Sequence, residues 1–187
     1  MTTCTFSITA EKPEHRAQIE SLLDQVFGLS RTVKTSYRLR EGETPVEGLS
    51  LVAIEPGHRI VGAISFWRVF VGEAGFPALL LGPLAVAPER QGTGIGRALM
   101  KLGLDRARAQ GAKLVILVGD EPYYGRVGFR QTPEDHLILP GPVDPNRLLH
   151  LELEECALNK AKGLVLPPRR MAEHEYLAAL AEPGEAR

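Results

Sequence analysis

Stretches of helical and extended hydrophobic patterning alternate along most of the chain. Residues 13–27 place Ile19, Leu22, Leu23 and Val26 at the spacing of one helix face, which predicts an amphipathic helix. A continuous apolar run is instead typical of a buried strand. Helices are predicted at residues 13–27, 30–39, 92–110 and 122–126. Strands are predicted at residues 4–9, 49–55, 60–71, 78–86, 114–118, 137–139 and 148–153.

The order of these elements predicts one mixed α/β domain followed by a tail. Helices and strands follow one another over residues 1–160, and a length of 187 residues suits a single domain that can bury a core. Beyond that point the chain carries a Pro-Pro-Arg-Arg segment at residues 167–170 and then a predicted short helix at residues 172–181. We therefore place the domain at residues 1–160 and the tail at residues 161–187.

Composition and charge disfavour several classes of function. The formal net charge is −1, which favours neither nucleic acid nor an anionic membrane as a partner. No apolar run approaches the ~20 residues of a membrane span, and no secretory signal is recognisable, so we expect a cytoplasmic protein. Cys4 and Cys156 are expected to be free thiols, and the five histidines show no spacing typical of a metal site.

The most informative segment is the loop before the predicted helix at residues 92–110. Gly92, Gly94 and Gly96 alternate there, so backbone N–H groups can turn toward one point with no Cβ in the way. The helix that follows adds its free N–H groups and the positive end of its dipole. This combination predicts a site for a phosphate or pyrophosphate.

Three kinds of glycine-rich phosphate loop compete for this segment, and two of them fail on detail. A P-loop ends in Gly-Lys-Ser or Gly-Lys-Thr, whereas Gly96 is followed by Arg97 and Ala98. A dinucleotide fingerprint has G-x-G-x-x-G after the first strand of its fold, whereas this loop has G-x-G-x-G in mid-chain. An oxidoreductase that binds NAD is therefore disfavoured.

The third kind of loop fits on both of its flanks. Residues 91–96, Gln-Gly-Thr-Gly-Ile-Gly, resemble the Q/R-x-x-G-x-G/A loop of the GNAT family of N-acetyltransferases. Residues 84–88, Leu-Ala-Val-Ala-Pro, resemble that family's fourth strand and the turn after it. Residues 124–129, Tyr-Gly-Arg-Val-Gly-Phe, resemble its Y-x-x-x-G-F segment. The resemblance covers residues 5–155 and is close to a bacterial subgroup of uncharacterised acetyltransferases.

The resemblance implies a fold, a co-substrate and the residues that hold it. The implied fold is a central mixed, largely antiparallel sheet flanked by helices, with the fourth and fifth strands splayed apart. Acetyl-CoA is the implied acetyl donor, and its pantetheine arm is expected along Leu84, Ala85 and Val86. Pro83 independently indicates an interrupted strand at this point, since proline removes a ladder donor. The expected pyrophosphate cradle consists of Gly92, Thr93, Gly94, Ile95, Gly96 and Arg97.

The activity implied by the resemblance is acetyl transfer to a primary amine by direct attack, without a covalent enzyme intermediate or a metal ion. Tyr124 is the expected general acid for the departing thiolate, because a phenol is protonated at neutral pH. Tyr123 is expected to face elsewhere. The alternative is a module of the same fold that binds or senses CoA without transfer.

The general base and the acceptor stay open at this stage. The candidates for the base are the ionisable residues near predicted strand ends, Glu41, Glu73, Asp120, Glu121 and His150. The residues expected around the acceptor are Phe27, Tyr37, Arg38, Arg40 and Trp67. A small amine and a protein amine are both compatible with this set. A homodimer through the apolar final strand or the tail is an alternative to a monomer.

Overall fold

The computed structural model describes residues 5–171, and a nine-stranded sheet forms the centre of that part of the chain. Apolar and β-branched residues dominate the long central strands, as expected for side chains buried on a pleated surface. The strands are β1 (Ser7–Ala10), β2 (Leu51–Glu55), β3 (Arg59–Val71), β4 (Phe76–Val86), β5 (Leu114–Val118), β6 (Arg130–Gln131), β7 (Leu137–Ile138), β8 (Leu148–Glu152) and β9 (Gly163–Leu166).

Two long helices and several short turns of helix surround the sheet in the described residues. The helices are α1 (Arg16–Phe27), α2 (Thr35–Arg38), α3 (Ile95–Ala109), α4 (Glu121–Tyr124) and α5 (Ala157–Lys160). A 3-10 turn at Pro13–His15 leads into α1, where the missing N–H of proline is tolerated. Within residues 5–171, no helix combines the length and the apolar character needed to cross a membrane.

The sheet is mixed and largely antiparallel. Its strands follow the order β1-β2-β3-β4-β5-β8-β6. Within this order, only the central pair β4–β5 is parallel. Strand β9 pairs antiparallel with the end of β3 and parallel with β7. The predicted mixed α/β fold is confirmed.

The two faces of the sheet carry separate apolar clusters. Helices α1 and α3 pack on one face, where Leu22, Phe66 and Leu99 are almost fully buried. The other face is covered by Leu39 and by α5 with its neighbouring segments. Close packing explains Gly103 in the middle of α3, since a Cβ there would lie 2.6 Å from Cε2 of Phe66. Burial of this kind supplies most of the driving force for folding.

Strands β4 and β5 separate soon after they begin to pair. Their pairing is limited to Leu79 and Leu80 of β4 opposite Val115 and Ile116 of β5. The register between β4 and β3 also shifts where Pro83 lies. Both the interruption at the proline and the splaying of the fourth and fifth strands are therefore confirmed. The separation leaves a gap in the middle of the sheet.

The helix predicted at residues 30–39 is divided in the structure. A 3-10 turn spans Leu29–Val33, and α2 follows it. The two are separate because the backbone of Lys34 between them is extended, with φ −71° and ψ 144°. The Thr35 hydroxyl donates to the carbonyl oxygen of Pro142 over 2.9 Å. This contact joins the divided segment to a turn that is distant in sequence. A local sequence pattern cannot predict such a contact.

Other boundaries differ by a few residues, and two strands are absent from the prediction. Helix α3 begins at Ile95 instead of residue 92. Strand β6 has only two residues, and both are exposed, so it lacks an apolar signal. Strand β9 lies within residues 161–187, the segment predicted to be a tail. Cys4 and the helix predicted at residues 172–181 lie outside the described residues.

Candidate functional site

A cavity of about 970 Å³ opens where β4 and β5 separate. Five segments line it: residues 26–40, residues 80–86 of β4, residues 90–100, residues 118–127 and residues 142–147. A cavity of this size is typical of a site for a small organic ligand. The predicted site residues therefore lie within or beside one concave surface.

The backbone of β4 presents hydrogen-bonding groups to this cavity. The amide of Ala87 donates to the carbonyl oxygen of Val61 on β3 over 2.9 Å. In an antiparallel pair, the backbone N–H and C=O groups of successive residues point alternately toward and away from the partner strand. Because those of Ala87 point toward β3, those of Leu84 and Val86 point toward the gap. Strand β5 does not pair with this part of β4. Leu84 and Val86 line the cavity, whereas the Ala85 side chain is buried outside it.

The glycine loop and the first turn of α3 form a second side of the cavity. Gly92 and Gly94 adopt φ values of 78° and 91°, a region that favours glycine. The space where their Cβ atoms would lie is open, with no atom within 4 Å. Ile95, Gly96 and Arg97 follow in the first turn of α3 and also line the cavity. The N–H groups of a first helical turn have no partner within the helix, so this side can bind an anion.

The cations near the loop differ in their partners. Arg97 is exposed and borders the cavity. Arg90 borders it too, but its Nε lies 2.5 Å from Oε1 of Glu55 in an ion pair. Lys101 is exposed and does not line the cavity. Thr93 also lies outside the lining, and its hydroxyl donates to the carbonyl oxygen of Arg90 over 2.6 Å.

Tyr124 is the last residue of α4, and its side chain lines the cavity. Its ring packs edge-on against Phe129, with centroids 6.0 Å apart, and it fills the space beside Gly119, where a Cβ would collide with the ring. Burial, with smaller contributions from Tyr123 and Asp120, raises the pKa of Tyr124 to about 12. The phenol is therefore protonated at neutral pH and can donate a proton.

Tyr123 does not face elsewhere, contrary to the expectation from sequence. Its ring stands edge-on to Tyr124, with centroids 5.0 Å apart, and it lines the same cavity. A side chain on Gly96 would collide with the Tyr123 hydroxyl. The two consecutive tyrosines share the cavity because a single short turn of helix directs both rings toward it. The spacing of the motif does not reveal this, since it specifies only Tyr124.

The chain matches a known family over most of the segments that line this cavity. Residues 16–129, more than half of the chain, match the sequence model of the Acetyltransferase (GNAT) family. The chain belongs to the GNAT family of acetyltransferases. The match includes α1, the gap between β4 and β5, the glycine loop and the two tyrosines. The predicted family resemblance is confirmed.

The relatives of this GNAT chain include two proteins of Escherichia coli. YjhQ, described as an uncharacterized N-acetyltransferase, is 36% identical over 133 residues, which are 70% of this chain and 72% of YjhQ. YhbS, described in the same words, is 30% identical over 84% of this chain and 93% of its own length.

Two solved GNAT structures show related folds with the coenzyme bound. The structure of YhbS in complex with CoA has a TM-score of 0.75 at 28% identity and covers 89% of this chain and 92% of that one. A GNAT acetyltransferase of Brucella melitensis in complex with acetyl-CoA has a TM-score of 0.58 at 29% identity, over 80% of this chain and 97% of that one. The fold is thus shared along nearly the whole described chain.

The part of the GNAT cavity away from the glycine loop is built from side chains. Of the residues expected around the acceptor, Phe27 and Arg40 line the cavity, whereas Tyr37, Arg38 and Trp67 do not. The guanidinium of Arg40 lies over the rings of Tyr37 and Trp67, 5.2 Å and 5.7 Å from their centroids. The indole N–H of Trp67 donates to the carbonyl oxygen of Gly82 over 2.6 Å, so these two rings position Arg40 beside the gap.

Among the five candidates for the base, only Asp120 lines the cavity. Its Oδ1 lies 3.1 Å from Nε of Arg147. His150 is buried in β8, and burial lowers its pKa, so it is neutral at pH 7 but outside the cavity. Asp144, which sequence reasoning did not single out, is the other acidic residue of the lining, and it accepts from the amide of Asn146 over 2.9 Å.

No group of three or more His, Cys, Asp and Glu residues is arranged to hold a metal ion in residues 5–171. Cys156 is exposed and lies outside the cavity lining. The chemistry that the site offers therefore consists of backbone amides, cations, the phenols of Tyr123 and Tyr124 and two aspartates.

Proposed function

We propose that the protein transfers the acetyl group of acetyl-CoA to a primary amine. The observation that carries the proposal is the gap between β4 and β5, because it joins an open backbone edge, a helix N-terminus and a buried phenol in one cavity. Membership of the GNAT family supports an acetyltransferase activity. The two relatives solved with CoA or acetyl-CoA support the same donor here.

The residues present fit the shape and chemistry of this donor. The pantetheine arm carries amides, and the backbone groups of Leu84 and the N–H of Val86 can pair with them as in strand addition. The carbonyl oxygen of Val86 already accepts from Nε2 of Gln91 over 3.3 Å. The pyrophosphate needs several convergent donors, and the free N–H groups after Gly94 provide them beside an exposed cation, Arg97. The open space above Gly92 and Gly94 leaves room for phosphate oxygens.

Bound acetyl-CoA supplies a thioester that a neutral amine can attack directly. As the new C–N bond forms, the C–S bond breaks; the nitrogen gives up one proton and the departing sulfur takes up another. Tyr124 is the proposed donor of the proton to sulfur, because its high pKa keeps it protonated. Asp120 is the candidate acceptor of the amine proton, directly or through water.

Calorimetric titration with acetyl-CoA, with NAD as the control ligand, tests the first half of the proposal. We expect saturable binding of acetyl-CoA and none of NAD. The same protein is then incubated with acetyl-CoA and a panel of amines, and the release of free thiol is followed together with the mass of the product. We expect thiol release that depends on the amine and an acetylated product.

Each contrary outcome has a distinct meaning. Absence of acetyl-CoA binding contradicts the proposed site as a whole. Binding without acetylation of any amine contradicts the transferase and favours a module that binds or senses CoA. Thiol release that is equally fast without an amine indicates hydrolysis rather than transfer.

A further inference from the structure

The cavity is strongly cationic although the chain is not. The whole chain has a formal net charge of −1. In the described residues, seven arginine and lysine side chains line the cavity against two aspartates, Asp120 and Asp144. An excess of one charge sign within a cleft attracts ligands of the opposite sign. The cations around the glycine loop suit the phosphates of the donor, which leaves those at the other end to be explained.

The cations at the other end differ in whether the protein already neutralises them. Arg31 forms ion pairs with both Glu20 and Asp24, and Arg147 pairs with Asp120. Lys34 and Arg126 are exposed to solvent. These side chains need no ligand to compensate their charge, because carboxylates or water already do so.

Arg40 is the exception in this part of the chain. Its Nε donates to the carbonyl oxygen of Ser36 over 3.0 Å, and no carboxylate in residues 5–171 forms an ion pair with it. Burial lowers the pKa of Arg40 to about 10, so it is still charged at neutral pH. Its contacts are a carbonyl oxygen and the faces of two rings, which compensate a charge largely withdrawn from water less completely than a carboxylate would. Binding of an anion to this guanidinium is therefore energetically favourable.

We propose that Arg40 binds an anionic group, a carboxylate or a phosphate, on the acceptor amine. The inference rests on the proposed function and names the class of its acceptor. The guanidinium carbon lies over the rings of Tyr37 and Trp67, and Nε is bonded to Ser36, so the edge formed by the two terminal nitrogens is left for a ligand. Such an edge binds two oxygens of one oxyanion side by side.

The position of Arg40 is fixed relative to the reacting end of the cavity. Trp67 supports the guanidinium and is itself bonded to Gly82, next to the interrupted part of β4. An acceptor whose anionic group binds Arg40 is thereby held with its amine in the same cavity as the β4 edge. Arg40 acts here as a specificity-determining residue, and it takes no part in the proton transfers.

Pairs of acceptors that differ only in the anion provide the first test. Amino acids are compared with their C-terminal amides, and phosphoethanolamine with ethanolamine, by thiol release in the presence of acetyl-CoA. We expect the anionic member of at least one pair to have a kcat/KM higher by about tenfold or more, as charged hydrogen bonds allow. The pair that shows the preference identifies the anion as a carboxylate or a phosphate.

Substitution of Arg40 provides the second test. In Arg40→Gln, we expect KM for the anionic acceptor to rise by about 10- to 100-fold, while kcat and the values for the neutral counterpart change little. Arg40→Lys keeps the charge but not the two-pronged edge, and its effect should be intermediate. Arg38→Gln is the matched control, because Arg38 is exposed and outside the cavity lining. Unchanged acetyl-CoA affinity shows that each variant is folded.

Fluorescence of Trp67 provides a readout that does not depend on turnover. Trp67 is the only tryptophan of the chain, and its ring lies 5.7 Å from the guanidinium carbon of Arg40. With CoA bound, titration of the anionic acceptor should change the emission in a saturable way, and the change should be lost in Arg40→Gln. The neutral counterpart should give no such change.

The outcomes separate this inference from the proposed function. Acetylation of anionic and neutral amines at equal kcat/KM, unaffected by Arg40→Gln, overturns the inference and leaves the acetyltransferase intact. A Trp67 response that requires Arg40 without acetylation of any amine supports the anion site and contradicts acetyl transfer. Absence of both the preference and the fluorescence response overturns the inference.

Discussion

The two ends of the cavity are built in different ways. The end proposed for the coenzyme is formed by backbone groups within residues 84–97 and by glycines that leave room around them. The end proposed for the acceptor is formed by side chains from residues 26–40 and 142–147, more than a hundred positions apart in the chain. One end is thus local and made of peptide groups, whereas the other is assembled by the tertiary fold.

This difference teaches where each kind of substitution should act. Peptide groups are present whatever the side chain, so the coenzyme end should fail only when a side chain obstructs the glycine loop or distorts it. The acceptor end depends on the chemistry of single side chains, so it can change its ligand while the fold stays the same. Substitutions at the two ends should therefore separate coenzyme affinity from acceptor preference.

The largest effect is expected from Gly94→Glu at the coenzyme end. Gly94 has φ 91° and open space around its Cβ position, so glutamate adds strain, bulk and negative charge where phosphate is proposed to bind. We expect the affinity for acetyl-CoA to fall by about 100-fold or more, since a like charge and a lost cradle each cost ~1–3 kcal/mol. Calorimetric titration measures the loss.

Gly111→Glu is the matched control for that substitution. Gly111 also has positive φ, 80°, and open space around its Cβ position, but it does not line the cavity. The same backbone strain is therefore introduced at a distance from the proposed phosphate site. Equal losses of affinity in the two variants would mean that general destabilisation, not the loop, explains the effect.

The second largest effect is expected from Tyr124→Phe, which tests the proposed general acid between the coenzyme end and the acceptor end. Removing only the hydroxyl should lower kcat by about 10- to 100-fold, in the lower range of general acid catalysis, while the affinity for acetyl-CoA stays nearly constant. Tyr123→Phe removes a hydroxyl from the neighbouring ring and should affect kcat much less. An unchanged kcat in Tyr124→Phe would remove Tyr124 from the mechanism.

The same contrast explains how much of the site was predictable from sequence. The glycine loop and the interruption at Pro83 are local features, because positive φ and missing N–H groups act on the backbone where they occur. The support of Arg40 by Trp67, and of Trp67 by Gly82, joins three residues that are distant in sequence. The periodicity of the sequence cannot predict such a contact. The net charge of −1 is a sum over the whole chain, so it does not indicate that one cavity is cationic.

The fold was predictable to a similar degree. The strand predicted at residues 114–118 coincides with β5, because a continuously apolar run has no alternative to burial. Strand β9 was missed because its place beside β3 depends on the return of a distant segment. Tyr123 was misplaced because the direction of a side chain in one short turn depends on where Gly96 leaves space.

A smaller effect is expected from Arg97→Gln, again at the coenzyme end. Arg97 is exposed, and an exposed cation near phosphate contributes only ~0.3–1 kcal/mol because water and salt screen it. We expect acetyl-CoA affinity to fall about two- to fivefold, with a smaller loss at high salt. Lys101→Gln makes the same charge change one turn further along α3 but outside the lining. A loss of equal size in that control would point to the general field of the helix rather than to a contact of Arg97.

The smallest effect concerns the pH dependence of kcat at saturating substrates. A group acting as an acid is active below its pKa, so raising the pKa of Tyr124 to about 12 by burial extends its active range upward. With the ordinary pKa of about 10, half of the phenol would be ionised at pH ~10 and kcat would fall about twofold there. We therefore expect kcat to stay level up to pH ~10, with activity recovered unchanged on return to neutral pH. Because the pKa of Arg40 is about 10, the profile is also measured in Arg40→Gln with a neutral amine. A reversible decline that begins near pH ~9 in that variant too would show that the acid has a lower pKa than Tyr124, and the role would pass to another group in the cavity.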